Sequence, residues 1–362
     1  MSDFYKQTLL FLSKSINNSY PDNFDWKTRK LGRRRRTILL FETMFNRLMR
    51  LFGENASVLI STRGNFYLQN VGLFQVTFDL LKDQESRDKY IELLVYKMIG
   101  FTKVKLSLNN EEFWSSRDKV DSYRKQETIP VNFGNGHLDL FDLSSRGYNV
   151  KLYYVNNGIF VVFILQQYNY QNYVCVQPGD IVIDAGGCWG DTALYFAAKG
   201  ASEVLVYEFI PSNIAIMQKN LSLNEQYSKQ ITLVNNAVWE SSDIDLSYDD
   251  SGPSSRVAEL GKYKGKTKTL SIDDLVERQN LSRVDFIKMD IEGAELSALK
   301  GAENTIRKFK PKLAISVYHK QDDLILIPSY IRSLYSDYEF YLDYYTIIGE
   351  EIVLYAVNKN VD

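Results

Sequence analysis

The ten residues Val182-Ile-Asp-Ala-Gly-Gly-Cys-Trp-Gly-Asp191 set three glycines between two acids. Ile181 to Asp184 has the β-branched, apolar make-up of a buried strand, and a helical run opens at Asp191. Strand, glycine turn and helix in that order bring free N–H groups and a positive dipole end to the carboxyl end of a strand. Gly186, Gly187 and Gly190 let the backbone turn tightly and let a ligand approach it. Glu208 ends the next apolar run, 24 positions after Asp184, where a carboxylate can accept from two ribose hydroxyls. Two cofactors fit: a nicotinamide dinucleotide and S-adenosylmethionine. The dinucleotide fingerprint is G-x-G-x-x-G, tight against a pyrophosphate. Here Trp189 stands where a phosphate loop needs a small residue, and Asp191 would repel phosphate but could meet an amino-acid ammonium. The residues favour S-adenosylmethionine and keep the dinucleotide as the alternative. The Tyr-x-x-x-Lys relay of a dehydrogenase occurs at Tyr195–Lys199 and Tyr355–Lys359, neither on a later helix facing the turn.

The elements that must hold these residues alternate from Gly179 onward. Strands are expected over Ile181–Asp184, Glu203–Glu208, Ile231–Asn236, Phe286–Asp290 and Leu313–Tyr318, and helices over Asp191–Lys199, Pro211–Leu223, Ala294–Lys300 and Leu324–Leu334. Repeated β-α units imply a parallel sheet with helices on both faces. Glu339–Asp343 and Glu351–Val357 read as a closing hairpin. Upstream, Val150–Tyr154 and Ile159–Leu165 flank Asn156-Asn157-Gly158 and read as another hairpin. Residues 1–130 read as mostly helical. Phe41, Met44, Phe45, Leu48 and Phe52 form one helical stripe over Thr37–Phe52, with Gly53 as its cap, and a second helix covers Arg87–Ile99 with Gly100 closing it. The division expected is 1–130 helical, shaping the acceptor pocket or an oligomer contact, 131–177 hairpin and linker, and 178–362 the cofactor-binding domain.

Composition excludes several classes. The 362 residues are 45% hydrophobic and 24% charged, ordinary for a globular chain. Two cysteines and two histidines rule out a disulfide framework and a zinc site built from those residues. There is no run of about 18 apolar residues and no basic-then-apolar start, so the expected location is a reducing cytoplasm. The net charge of −2 combines +6 over residues 1–150 with −8 over the rest, which argues against nucleic acid as a partner. The basic run Arg33, Arg34, Arg35, Arg36 could dock on an anionic membrane surface or an acidic glycan, although such runs are more often a solvated helix start.

Four segments resemble the FkbM-type S-adenosylmethionine-dependent methyltransferases: PGDIVIDAGGCWGDTALYFA (178–197), YEFIPSNIAIMQKNLSLN (207–224), LSIDDLV with VDFIKMDIEGAELSALKGAENTI (270–276, 284–306) and PKLAISVYHK (311–320). The MDIEGAE run with PKLAISVYH is the specific part. The resemblance covers about Tyr148 to Val357. It departs at Glu208-Phe-Ile-Pro211, where the family more often has Glu-Pro-x-Pro. It implies an α/β fold, the Rossmann-like seven-stranded class I methyltransferase sheet, here with a mostly helical N-terminal extension. It also implies O-methylation of a sugar or glycoconjugate hydroxyl, or of a polyketide or other secondary metabolite.

The roles that follow are these. Asp184 orients the turn, Asp191 binds the methionine end, Glu208 holds the ribose, and Asn236 and Ala237 flank adenine. Tyr168 and Tyr170 lie on a segment that can fold over the cofactor. Asp290 and His319 end neighbouring strands about 5 Å apart. His319 is expected as the base that takes the acceptor's proton, with Asp290 orienting it. Glu292 could reach the substrate, and Glu295 is expected at a helix N-terminus. A divalent cation on Asp290, Glu292 and His319 is the less favoured alternative. Trp189 is expected to pack on the next helix and Cys188 to be a small buried filler. The partners expected are a small-molecule or glycan acceptor and a second copy of the chain.

Overall fold

The computed structural model describes residues 2–20, 23, 62–132, 134–258 and 261–359. The apolar runs expected as strands assemble into one seven-stranded sheet: β1 Ile181–Ala185, β2 Glu203–Tyr207, β3 Ile231–Val234, β4 Phe286–Met289, β5 Lys312–Ser316, β6 Tyr338–Tyr344 and β7 Ile352–Asn358. The spatial order is β3-β2-β1-β4-β5-β7-β6. The first five strands are parallel, and β7 runs antiparallel between β5 and β6.

Side chains alternate between the two faces of the sheet. Ile183, Leu205, Ile287 and Ile315 join one buried cluster, and Val182, Val204, Phe286 and Ala314 join the other. Both faces are therefore apolar, which explains why the strands read as continuous runs. The helix Asp191–Ala198 covers the second face. The helices Gln84–Ile99 and Asp323–Leu334 cover the first. Gln84–Ile99 starts where the Asp83 side chain accepts from Ser86 N, and it stops at Gly100, whose φ of +84° suits a residue without a β-carbon. Ser86 Oγ accepts from Leu342 N of β6, and Lys82 N donates to Phe340 O. The N-terminal helices thus blunt the β6 edge of the sheet.

One expected element is wrong. Lys151–Tyr154 is a strand, but it pairs with His137–Asp142, which in turn pairs with Arg124–Pro130. Asn156–Ile159 is a helical turn that continues into a π-helical turn over Phe160–Ile164, so there is no hairpin about Asn156-Asn157-Gly158. A short apolar run fits a buried strand or a buried helix equally, and packing decides. Phe160 sits 5.0 Å from Phe113, Phe163 sits 5.3 Å from Tyr148, and the Tyr154 ring fills the space a β-carbon on Gly158 would take. The expected helix Thr37–Phe52, its stripe and cap, and Arg33 to Arg36 lie outside the described residues. No helix among the described residues is long and apolar enough to cross a membrane.

Candidate active site

The carboxyl ends of β1, β2, β4 and β5 open on two cavities. The smaller, about 70 Å³, is lined by Glu208, Phe209, Ile210, Ala237 and Val238 among others. The larger, about 210 Å³, is lined by Tyr154, Tyr168, Asp191, Lys288, Tyr318 and Glu351 among others. Gly186, Cys188, Pro253, Asp290 and Glu292 line both, so they form a continuous trough over the glycine turn.

The turn itself is fixed by protein contacts. Gly186 and Gly190 have φ of +88° and +82°. A β-carbon on Gly186 would stand 2.1 Å from Asp290 O, and one on Gly187 would stand 2.0 Å from Val206 Cγ2. At these two positions packing against Asp290 and against β2 requires glycine, and Gly186 also lines both cavities. Beneath the turn, Asp184 is fully buried. It accepts from Thr192 Oγ1 at 2.5 Å and faces Lys288 Nζ at 3.0 Å. Lys288 also donates to the carbonyls of Ala185 and Gly186. Burial works against its charge, but Asp184 and Asp290 outweigh this and raise its pKa. Asp184 therefore orients the turn through a buried lysine rather than by touching a ligand.

Glu208 is 6% exposed and accepts from the N–H groups of Phe209 and Ile210 and from Asn213 Nδ2. Burial pushes its pKa up to about 7 against these bonds. Asp191 is buried at the mouth of its helix, where burial raises it to about 6, partly offset by Lys288 and the Tyr154 hydroxyl. Ala237 lines the small cavity. Asn236 lines neither cavity, and its amide donates to Lys268 O. Trp189 packs as expected, with Nε1 donating to Asn213 Oδ1 on the next helix. Cys188 is half-buried with φ +44° and lines the trough, so it is not a buried filler.

The two tyrosines separate. Tyr168 donates to Asp290 Oδ2 at 3.3 Å and lines the larger cavity. Tyr170 packs on Tyr341 and Tyr355 and donates to Asp83 Oδ2 at 2.7 Å, outside both cavities.

Asp290 and His319 meet, with Oδ1 and Nε2 3.5 Å apart. Asp290 faces the cavity, where Tyr168 and Tyr318 donate to its two oxygens. His319 lines neither cavity and stands behind Asp290 and Glu292. Desolvation lowers its pKa, but contact with Glu295, Asp290 and Glu292 more than reverses this and holds it at about 9. Through neutral pH the ring is thus charged and can only donate. Glu295 is fully buried and accepts from Ile291 N, tying down the loop that follows β4. Glu351, in the β6–β7 turn with φ +53°, reaches the cavity wall beside Tyr318. Sequence reasoning missed Lys288, Tyr154, Tyr318 and Glu351. Of these only Lys288, a lone charge within the apolar strand FIKMD, left a signal.

This strand order, with its trough above the glycine turn, defines a Rossmann-like class I methyltransferase fold. Residues 175–340 match the Methyltransferase FkbM domain. The protein is similar to the crystal structure of Methyltransferase FkbM from Methylobacillus flagellatus KT, with a TM-score of 0.55 and 20% identity over 90% of this chain and 71% of that one. A curated relative, Methyltransferase 1 of Beauveria bassiana (strain ARSEF 2860), is 28% identical over 151 residues. That match takes in 35% of this chain and 60% of the relative's length. The segment 175–340 thus carries the FkbM methyltransferase domain match, and it takes in the glycine turn, Asp290 and His319.

Proposed function

We propose that this protein is an S-adenosylmethionine-dependent O-methyltransferase whose acceptor is a hydroxyl of a sugar or glycoconjugate. The observation that carries the reading is Glu208, a buried carboxylate at the end of β2 beside an apolar slot formed by Phe209, Ala237 and Val238. A carboxylate has four lone-pair positions, and Glu208 uses three, so it keeps room for a ribose hydroxyl. The slot suits adenine, and Asp191 suits an ammonium. S-adenosylmethionine supplies an electrophilic methyl group for in-line displacement. The chain's own residues do the rest. Asp290 accepts the acceptor's proton as the new bond forms, help worth ~10²–10⁴ in rate. Tyr168 and Tyr318 hold the Asp290 oxygens in place. His319 takes a positioning role behind it, in place of the base expected from sequence.

The acceptor class rests on the larger cavity, where carboxylates of Asp290, Glu292 and Glu351 and hydroxyls of Tyr154, Tyr168 and Tyr318 offer many polar partners to a polyol. A polyketide hydroxyl would ask for a more apolar wall. Calorimetry with adenosylhomocysteine and with NAD tests the cofactor: the first should saturate at micromolar levels and the second should not. Labelled S-adenosylmethionine with a panel of glycosides and phenolic polyketides then tests the acceptor. Label found only in the polyketides would reject the sugar assignment.

A further inference from the structure

His319 follows β5, Asp290 follows β4, and Glu295 opens the helix Glu295–Lys300 after it. Each offers one donor atom, and the three atoms lie within 4.8 Å of one another. The His319 side chain is 6% exposed, yet neither ring nitrogen has a hydrogen-bond partner among the described residues. Nδ1 lies 2.8 Å from Glu295 Oε1, and Nε2 lies 3.5 Å from Asp290 Oδ1. Glu295 Oε2 is also buried and unpartnered. Buried imidazole and carboxylate atoms are ordinarily satisfied, so a group of them converging without hydrogen bonds needs an explanation. Glu292 adds a third carboxylate, with Oε2 3.9 Å from Nε2. The exposed Arg256 lies 3.5 Å from Glu292 Oε2, and Lys288 interacts electrostatically with Asp290.

We propose that Asp290, Glu295 and His319 bind one divalent metal ion. Once the ion displaces the ring proton that the carboxylates otherwise hold on His319, one nitrogen and two carboxylates form a hard-to-borderline donor set, suited to Mn²⁺ or Zn²⁺. Metal–ligand bonds of ~2.0–2.2 Å place tetrahedral donors about 3.4 Å apart, so the Nδ1–Glu295 pair at 2.8 Å must open and the wider pairs, all within 4.8 Å, must close. The ion would sit behind the cavity wall and fix Asp290 and Glu292, the two acids that line both cavities. Its use in catalysis rests on the methyl-transfer reading, whereas its binding does not.

The test is titration of the full-length, chelator-treated protein with Mn²⁺, followed by electron paramagnetic resonance and calorimetry, on wild type, His319→Ala, Glu295→Gln and Asp290→Asn. Near-UV circular dichroism selects the variants that keep the native fold. Adenosylhomocysteine binding is measured in parallel. The expected result is one Mn²⁺ per chain in wild type and at least tenfold weaker binding in each folded variant. Absence of binding in wild type at millimolar Mn²⁺, or equal affinity in the folded variants, overturns the proposal. Adenosylhomocysteine that binds while Mn²⁺ does not rejects the ion alone. Mn²⁺ that binds where adenosylhomocysteine does not rejects the cofactor reading and leaves the ion standing.

Discussion

Lys288 Nζ lies 3.0 Å from Asp184 Oδ1, both side chains are at most 2% exposed, and together they bridge β4 and β1 directly under the glycine turn. Breaking one side of such a pair leaves an uncompensated buried charge, at a cost of about 3–5 kcal/mol. Lys288→Met should lose stability of that order in urea denaturation. Lys288→Met with Asp184→Asn should recover a good part of it. A loss below about 1 kcal/mol for the single variant would mean the pair does not hold the turn.

Gly186 should resist substitution for reasons of backbone alone. An alanine there must adopt φ near +88° and put its β-carbon 2.1 Å from Asp290 O. A left-handed side chain costs ~1–3 kcal/mol and overpacking another ~1–3 kcal/mol. Gly186→Ala should therefore unfold at markedly lower denaturant than wild type. Gly147→Ala also has a left-handed backbone but open space around its β-carbon, so it should lose less. Equal losses would show that the Asp290 contact is unimportant.

Glu208 predicts a pH dependence of ligand affinity. Its folded pKa of about 7 is raised above the usual 4.5, so the free protein carries a proton there at pH 6. For this acid, stability falls as pH rises from about 4.5 to about 7, because the unfolded chain ionises first. Ribose hydroxyls donate best to the ionised form, so binding must expel the proton. Adenosylhomocysteine should bind roughly tenfold more tightly at pH 8 than at pH 6, as one tenfold step per unit below the pKa requires. Glu208→Gln should bind weakly at both. A wild-type dissociation constant unchanged across this range would exclude Glu208 as the ribose contact.

Tyr168 and Tyr170 should behave as different kinds of residue. Tyr170→Phe removes a hydrogen bond to the carboxylate that caps Gln84–Ile99 and should cost about 1.5–3 kcal/mol of stability. Its adenosylhomocysteine affinity should match wild type. Tyr168→Phe frees one Asp290 oxygen and should slow methyl transfer about tenfold while stability changes by ~1 kcal/mol or less. Thermal melts and turnover measured side by side check both. If Tyr170→Phe slows transfer as much as Tyr168→Phe, the separation of the two is wrong.

The seven-stranded sheet was legible because each strand is a short apolar run bounded by turn residues, and because parallel strands are buried on both faces. The same logic failed at Ile159–Leu165, where an apolar run became a helix. Its length and composition suit either state, and contacts with Phe113, Tyr148 and Tyr195 chose. Local order along the chain thus determined the glycine turn, the acid after β2 and the pair Asp290 and His319, since each is a strand-end position that the alternation of elements fixes. Tertiary structure alone decided that His319 stands behind the cavity wall, that Lys288 supports the turn, and that Glu351 arrives from a distant hairpin. Those outcomes depend on side-chain direction and on charges far apart in sequence, and neither is written in residue spacing.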